Sequence, residues 1–205
     1  MSDGFGRYDI YTTAGSIYCY KDSRVLKNRL GLRDSTELKA LEANLFAIRQ
    51  NDLLLHPIQG LFTANHLCRI HRYLFGDLYP FAGHFRRENI MKGSTHFLTH
   101  LEIKQKLTAL LSELKSESYL SGLTFDVFVD RSAYYFAELN YIHPYREGNG
   151  RTTREFMRLL FDRNHCRVFW NAVGTECLLS AMEASVFDTA ELKNVLRQCL
   201  FPKTE

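Results

Sequence analysis

The sequence predicts an all-α domain carrying one small β-hairpin, and three observations lead there. Apolar residues recur three and four apart through most of the chain between residues 35 and 200, the period of one helix face. Residues 77–98 lack that period and are broken by Pro80, Gly83 and Gly93, which suits a hairpin near an exposed loop. Residues 143–154, HPYREGNGRTTR, form a polar interruption between two helical stretches.

Taken in order, residues 1–20 are rich in Gly, Tyr and Thr and read as an arm, pinned by Tyr18, Tyr20 and Val25. A helix over 35–50 starts at Ser35 or Thr36 as N-cap and carries Leu38, Leu41, Leu45 and Ile48 on one face. Pro57 and Gly60 break it. A second helix runs from about 63 to 76, with Leu67, Ile70, His71 and Leu74 inward. The hairpin follows, its turn near Lys92-Gly93. Helical spacing resumes over 99–117 with Leu101, Ile103, Leu107, Leu110, Leu111 and Leu114, and Gly122 interrupts it. The next helix, 124–142, has Thr124 as N-cap and Phe125, Phe128, Val129, Phe136 and Leu139 facing in. The central stretch then continues as a helix to about His165, and the last 30 residues give one or two more, including 190–200. No repeat, low-complexity segment or linker divides the chain, so residues 1–205 read as a single domain.

Composition excludes several classes. A net charge of only +3 gives no bulk electrostatic case for nucleic acid. Cys19, Cys68, Cys166, Cys177 and Cys199 are scattered and show no CxxC, which suits reduced thiols and neither a disulfide framework nor a zinc site. No apolar run approaches the roughly 18 residues of a membrane span. The N-terminus, MSDGFGRYDIY, lacks the pattern of a secretory signal, although a signal read by a specialised secretion machine would escape this test.

The central stretch carries the chemistry. A residue before proline avoids the α region, so His143-Pro144 ends the preceding helix. Gly148 and Gly150 permit a tight turn, and the helix resumes at about Gly150 or Arg151. A helix start presents unpaired N–H groups and a positive dipole end, which favour a bound anion. The amides of Gly148, Asn149 and Gly150 would point at a phosphate. At about 100° per residue, Arg151, Arg154 and Arg158 share one face, opposite Phe156, Leu159 and Leu160. Arginine forks suit phosphate oxygens, and cations in the first turn oppose the helix dipole unless a polyanion lies between them. Glu147 beside phosphates makes sense if Mg2+ bridges the two. Histidine is the side chain that ordinarily titrates near neutrality, so His143 is the natural general base for a hydroxyl. Singly, each feature has an ordinary explanation: a helix stop, a turn, a solvated face. Their fixed order favours the joint phosphate reading. No GxxxxGK[ST] is present, and Thr153 spoils a GxGxxG.

This stretch resembles the Fic-domain motif H-x-F-x-[DE]-G-N-G-R-x-x-R, departing only at Tyr145, which stands where the family has Phe. PFAGHFRRENIMKGSTHF at 80–97 is similar to the segment around the Fic flap, and VLKNRLGLRDSTEL at 25–38 to the family's N-terminal portion. The resemblance implies a helical Fic fold that transfers AMP from ATP to a protein hydroxyl. By position, His143 would deprotonate the target Tyr, Ser or Thr, and Glu147 would bind Mg2+ between the α- and β-phosphates. Gly148, Asn149 and Gly150 would form the anion hole, Arg151 would hold the β-phosphate, and Arg154 would reach the γ-phosphate. The flap, at about 84–98, would dock the target backbone by strand addition through Gly93, Ser94, Thr95, His96 and Phe97.

Many members of the family carry an inhibitory helix of pattern [ST]-x-x-x-E-[GN], whose glutamate engages the second motif arginine. No glutamate here has Ser or Thr four residues earlier; Glu42, for example, follows Leu38. The chain therefore resembles the toxin-like class inhibited by a separate small antitoxin, whose glutamate would engage Arg154. A bacterial cytoplasmic protein without nucleic-acid or membrane partners fits this, with delivery into a host cell left open. Rival expectations are transfer of phosphate, UMP or phosphocholine on the same fold, and a silent nucleotide-binding protein. Against kinase chemistry, Gly150 stands where the Doc branch has lysine. The intact His143, Glu147 and Arg154 argue against silence.

Overall fold

A computed structural model describes residues 15–92 and 95–203. Among them the helices are α1 (Ser35–Leu55), α2 (Ala64–Phe75), α3 (Ile103–Ser116), α4 (Phe125–Ile142), α5 (Asn149–Arg163), α6 (Thr175–Ala184) and α7 (Ala190–Cys199). With them are two 3-10 turns (Ser118–Leu120 and Trp170–Ala172) and two short antiparallel pairs: β1 (Met91–Lys92) with β2 (Thr95–His96), and β3 (Cys166–Val168) with β4 (Leu200–Pro202). The fold is the expected helical one with a small hairpin.

Local chemistry sets the element ends. Asp34, and neither Ser35 nor Thr36, caps α1: its Oδ1 accepts the N–H groups of Thr36 and Glu37, each at 2.8 Å. α1 continues to Leu55 where residue 50 was the expected end, since nothing before Pro57 forbids helix. It is thinly covered. Leu38, Glu42 and Leu53 are its buried positions, and Ile48, assigned to the inner face, is 64% exposed. Thr63 caps α2 through its hydroxyl to His66 N–H, and Leu67, Ile70, His71 and Leu74 are buried as expected. α3 begins at Ile103, leaving Leu101 on the surface. Thr124 occupies the N-cap of α4 without a side-chain cap bond, and Phe125 turns outward. α5 starts at Asn149 and stops at Arg163, because His165 adopts a left-handed conformation.

The core sits where α5 packs against α2 and α4. Phe156, Met157, Leu160 and Phe161 of α5 meet Val129, Ala133, Phe136 and Leu139 of α4, all buried. Buried apolar area of this extent is the dominant favourable term in folding. α7 packs on α4 and on α6, and Leu179 and Met182 of α6 line a cavity with Gly150 and Arg154 of α5. The β3–β4 pair, registering Cys166 with Pro202 and Val168 with Leu200, was not expected; three-residue strands show no alternation in sequence. In the arm, Val25 is buried, Tyr18 meets Phe81 edge-on at 5.3 Å and Tyr20 packs half-buried against the core; residues 1–14 lie outside the described residues. All five cysteines are free, and no helix among the described residues is long and apolar enough to cross a membrane.

Candidate active site

His143 makes the turn that ends α4. It is the C-cap, at φ 45° and ψ 61°, and its N–H bonds the Leu139 carbonyl at 3.1 Å. A left-handed non-glycine residue costs about 1–3 kcal/mol and persists where its surroundings over-determine it. Arg86 supplies much of that. Buried, it donates Nε to the His143 carbonyl at 2.9 Å and Nη1 to the Glu88 carbonyl at 2.8 Å. Its Nη2 reaches the carbonyls of Leu98 and Ile142. One guanidinium thus joins the end of α4 to both ends of the hairpin segment. Sequence reading missed Arg86: adjacent Arg86 and Arg87 look alike, and only one is inside.

The imidazole is oriented as firmly as its backbone. Nδ1 lies 2.9 Å from the Asn140 carbonyl oxygen. A carbonyl can only accept, so Nδ1 carries the proton and Nε2 is the nitrogen left to take one. The Phe97 ring stacks on the imidazole, centroids 3.8 Å apart. Asn140 Nδ2 also donates to the Met182 carbonyl at 2.7 Å, tying the last turn of α4 to α6.

The helix start depends on its two glycines differently. Gly148, the N-cap of α5, sits at φ 79°, and a Cβ there would clash with the Phe75 ring. Gly150 is helical, and a Cβ on it would stand 3.4 Å from Arg154 Nη1. The tight turn therefore rests on Gly148 alone, while Gly150 leaves room beside Arg154. The expectation that all three amides face an anion is also modified, since Gly148 N–H donates to Glu147 Oε1 at 2.9 Å. The Asn149 side chain closes the loop, accepting Tyr145 N–H and donating to the Tyr145 carbonyl, each at 2.8 Å.

The three arginines do not share one cleft. Arg154 lines a cavity with His143 and Gly150. Arg151 is buried against α1 and α2, its Nη2 bonded to Glu42 and 3.3 Å from Glu147 Oε1, with the rings of Phe46 and Phe75 over its guanidinium. Arg158 is held by Glu155 and by the Leu53 carbonyl. Helix phase alone could not see that α1 and α2 cover part of that face.

Behind the loop, His71 bridges α2 to the motif. Its Nε2 donates to the Glu147 carbonyl at 2.9 Å, and its Nδ1 accepts Gly83 N–H at 2.7 Å. Burial pushes it down to about 3, so it stays neutral. Its ring stacks on Tyr145 at 3.8 Å, and the Tyr145 hydroxyl finds Cys68 Sγ at 3.6 Å, the partner this departure from Phe requires.

The cavity has a volume of about 370 Å³. The hairpin contributes Thr95 and Phe97 to its wall; His96 faces solvent, and Gly93 and Ser94 lie outside the described residues. The opposite wall is apolar and comes from Leu179, Met182 and Val186, in and after α6. Their spacing in sequence is that of any amphipathic helix, which gave no sign of a site. Lys92 of β1 and Glu183 of α6 pair at 3.2 Å beside it. Glu147 and Arg151 lie on the α1 and α2 side of the loop, where Arg151 meets Glu42 and Phe75 and the Glu147 carbonyl meets His71. Among the described residues no three His, Cys, Asp or Glu side chains cluster as a metal site. Glu147 suits Mg2+ only as one carboxylate whose partners are phosphate oxygens and waters.

With the helical frame, the left-handed His143 and the Gly148 helix start in place, the class is defined. A profile of the Fic/DOC family matches residues 61–161, and the chain belongs to that family. It is 31% identical to the "Probable protein adenylyltransferase Fic" of Salmonella typhimurium over 202 residues, 98% of this chain and 96% of that one. It is 33% identical to protein adenylyltransferase VbhT of Bartonella schoenbuchensis over 186 residues, covering 91% of this chain but only 39% of VbhT. Among solved structures, BepC of Bartonella tribocorum with bound AMPPNP superposes with a TM-score of 0.84 at 25% identity, covering 91% of this chain and 97% of that one.

Proposed function

We propose that this protein is an adenylyltransferase that moves AMP from ATP to a Tyr, Ser or Thr hydroxyl of a target protein. One observation carries the reading: the Nδ1–H bond to Asn140 leaves His143 Nε2 to accept a proton on a cavity wall shared with Gly150 and Arg154. The names of the Salmonella and Bartonella relatives, and the nucleotide analogue in BepC, support it.

In this reaction the target hydroxyl gives its proton to His143 Nε2 as its oxygen bonds the α-phosphorus. The bond from that phosphorus to the bridging oxygen breaks, and pyrophosphate leaves. The first turn of α5, from Gly148 through Asn149 and Gly150, opposes the growing charge with its dipole. Arg154 holds the γ-phosphate and Arg151 the β-phosphate. Glu147 is the carboxylate for Mg2+, which when bound neutralises phosphate charge. The hairpin edge around residues 93–97 docks the target backbone.

The setting we propose for this Fic domain is the bacterial cytoplasm, as the toxin of a toxin–antitoxin pair. The missing [ST]-x-x-x-E-[GN] pattern supports an external inhibitor whose glutamate engages Arg154. Peptide mass spectrometry of a bacterial lysate incubated with the protein and ATP tests the reading. AMP on a hydroxyl side chain of a discrete target is the expected result. Phosphate alone, or no adduct, rejects it.

A further inference from the structure

α1 buries few residues, and one of them is charged: Glu42 is 1% exposed. A carboxylate taken out of water is costly unless its partners replace the lost hydration. Glu42 has such partners. Its Oε1 receives Arg151 Nη2, from a residue 109 positions away, and its Oε2 receives the Tyr79 hydroxyl. The Arg151 guanidinium is further fixed by the rings of Phe46 and Phe75, at 5.0 and 4.7 Å. The second carboxylate on Arg151, Glu147, approaches less closely, at 3.3 Å, and is also the group offered to a cation.

We propose that Glu42 is a positioning residue that holds the Arg151 guanidinium aimed at the β-phosphate while Glu147 serves elsewhere. This rests on the adenylyl-transfer reading and deepens it. α1 lies outside the span matched by the family profile, and the helix thereby sets the grip on nucleotides carrying a β-phosphate. Glu42 follows Leu38, so it lacks the inhibitory pattern, and it faces the first motif arginine where that pattern's glutamate would face the second. A fixed counter-charge also keeps Arg151 from swinging in to pair with Glu147 alone.

The test is calorimetric binding of ADP and of AMP to the intact protein and to Glu42→Gln, Arg151→Ala and the double variant. Glu42→Gln should weaken ADP roughly tenfold or more while leaving AMP nearly unchanged. In the Arg151→Ala background it should do nothing further, because residues acting through one another are non-additive. Tyr79→Phe, which removes the other bond to Glu42, should weaken ADP in the same direction by less, and it carries the test if Glu42→Gln fails to fold. Equal losses for AMP and ADP, an undiminished effect without Arg151, or tighter ADP binding in Glu42→Gln would each overturn the proposal. The last of these would mark Glu42 as a brake. If the unmodified protein bound neither ADP nor ATP, the adenylyl-transfer reading would fall and this inference with it. Normal binding by the unmodified protein that Glu42→Gln and Tyr79→Phe leave unchanged removes this inference alone.

Discussion

The Nε of Arg86 lies 2.9 Å from the carbonyl oxygen of His143, so a buried guanidinium holds the very residue that turns left-handed at the end of α4. The same group bonds the carbonyls of Glu88 and Leu98, which flank the hairpin. His143 and the hairpin therefore share one support.

Arg86→Met strands several buried carbonyls and should cost about 3 kcal/mol or more in urea denaturation, with a matching loss of transfer activity. Arg87→Met, at an exposed position, should stay within about 0.5 kcal/mol of the unmodified protein. Equal effects at both positions would contradict the assignment.

The two motif glycines should separate. Gly148→Ala forces a Cβ into a positive φ against Phe75 and should destabilise by about 2 kcal/mol or more. Gly150→Ala sits at a helical φ and should leave stability unchanged or slightly raised. Crowding Arg154, it should still weaken ATP binding about tenfold, or about 1.4 kcal/mol. Thermal melting and calorimetry read the two effects independently.

Acid should unfold the protein through its buried imidazoles. Burial lowers His71 to about 3 from 6.5 and lowers His66 as well. The unfolded chain takes up these protons below about 6.5 while the folded chain does not. For His71 stability is therefore full above that pH and falls as pH drops towards 3, by up to about 1.4 kcal/mol per pH unit, and His66 adds to the loss in the same direction. Urea midpoints should decline below about pH 6.5, and His71→Gln should show a lower midpoint at neutral pH with a shallower decline.

Much of this was legible in the sequence, for physical reasons. Helical period located α2, α4 and α5, and Pro144 fixed the end of α4 within a residue. Short-range chemistry did less well at α1, where Asp34 outcompeted Ser35 and Thr36 for the cap. What could not be read were long-range pairings. Glu42 meets Arg151 across 109 residues, Arg86 reaches His143 across 57, and His71 reaches the Glu147 carbonyl across 76. None leaves a periodic trace. Nor did the apolar wall of Leu179, Met182 and Val186, whose spacing is that of a helix packing on a core. The divergence of Arg151, Arg154 and Arg158 follows from the same cause, because tertiary neighbours decide which part of a helix face is a cleft.

The most direct test of the central claim follows label from ATP into protein with His143 present or replaced. With α-phosphate label, a target band should appear for the unmodified protein and fall by at least about a hundredfold in His143→Ala, while ATP binding by that variant persists. Label entering from the γ-phosphate instead, or an α-label band that survives His143→Ala, would contradict the account.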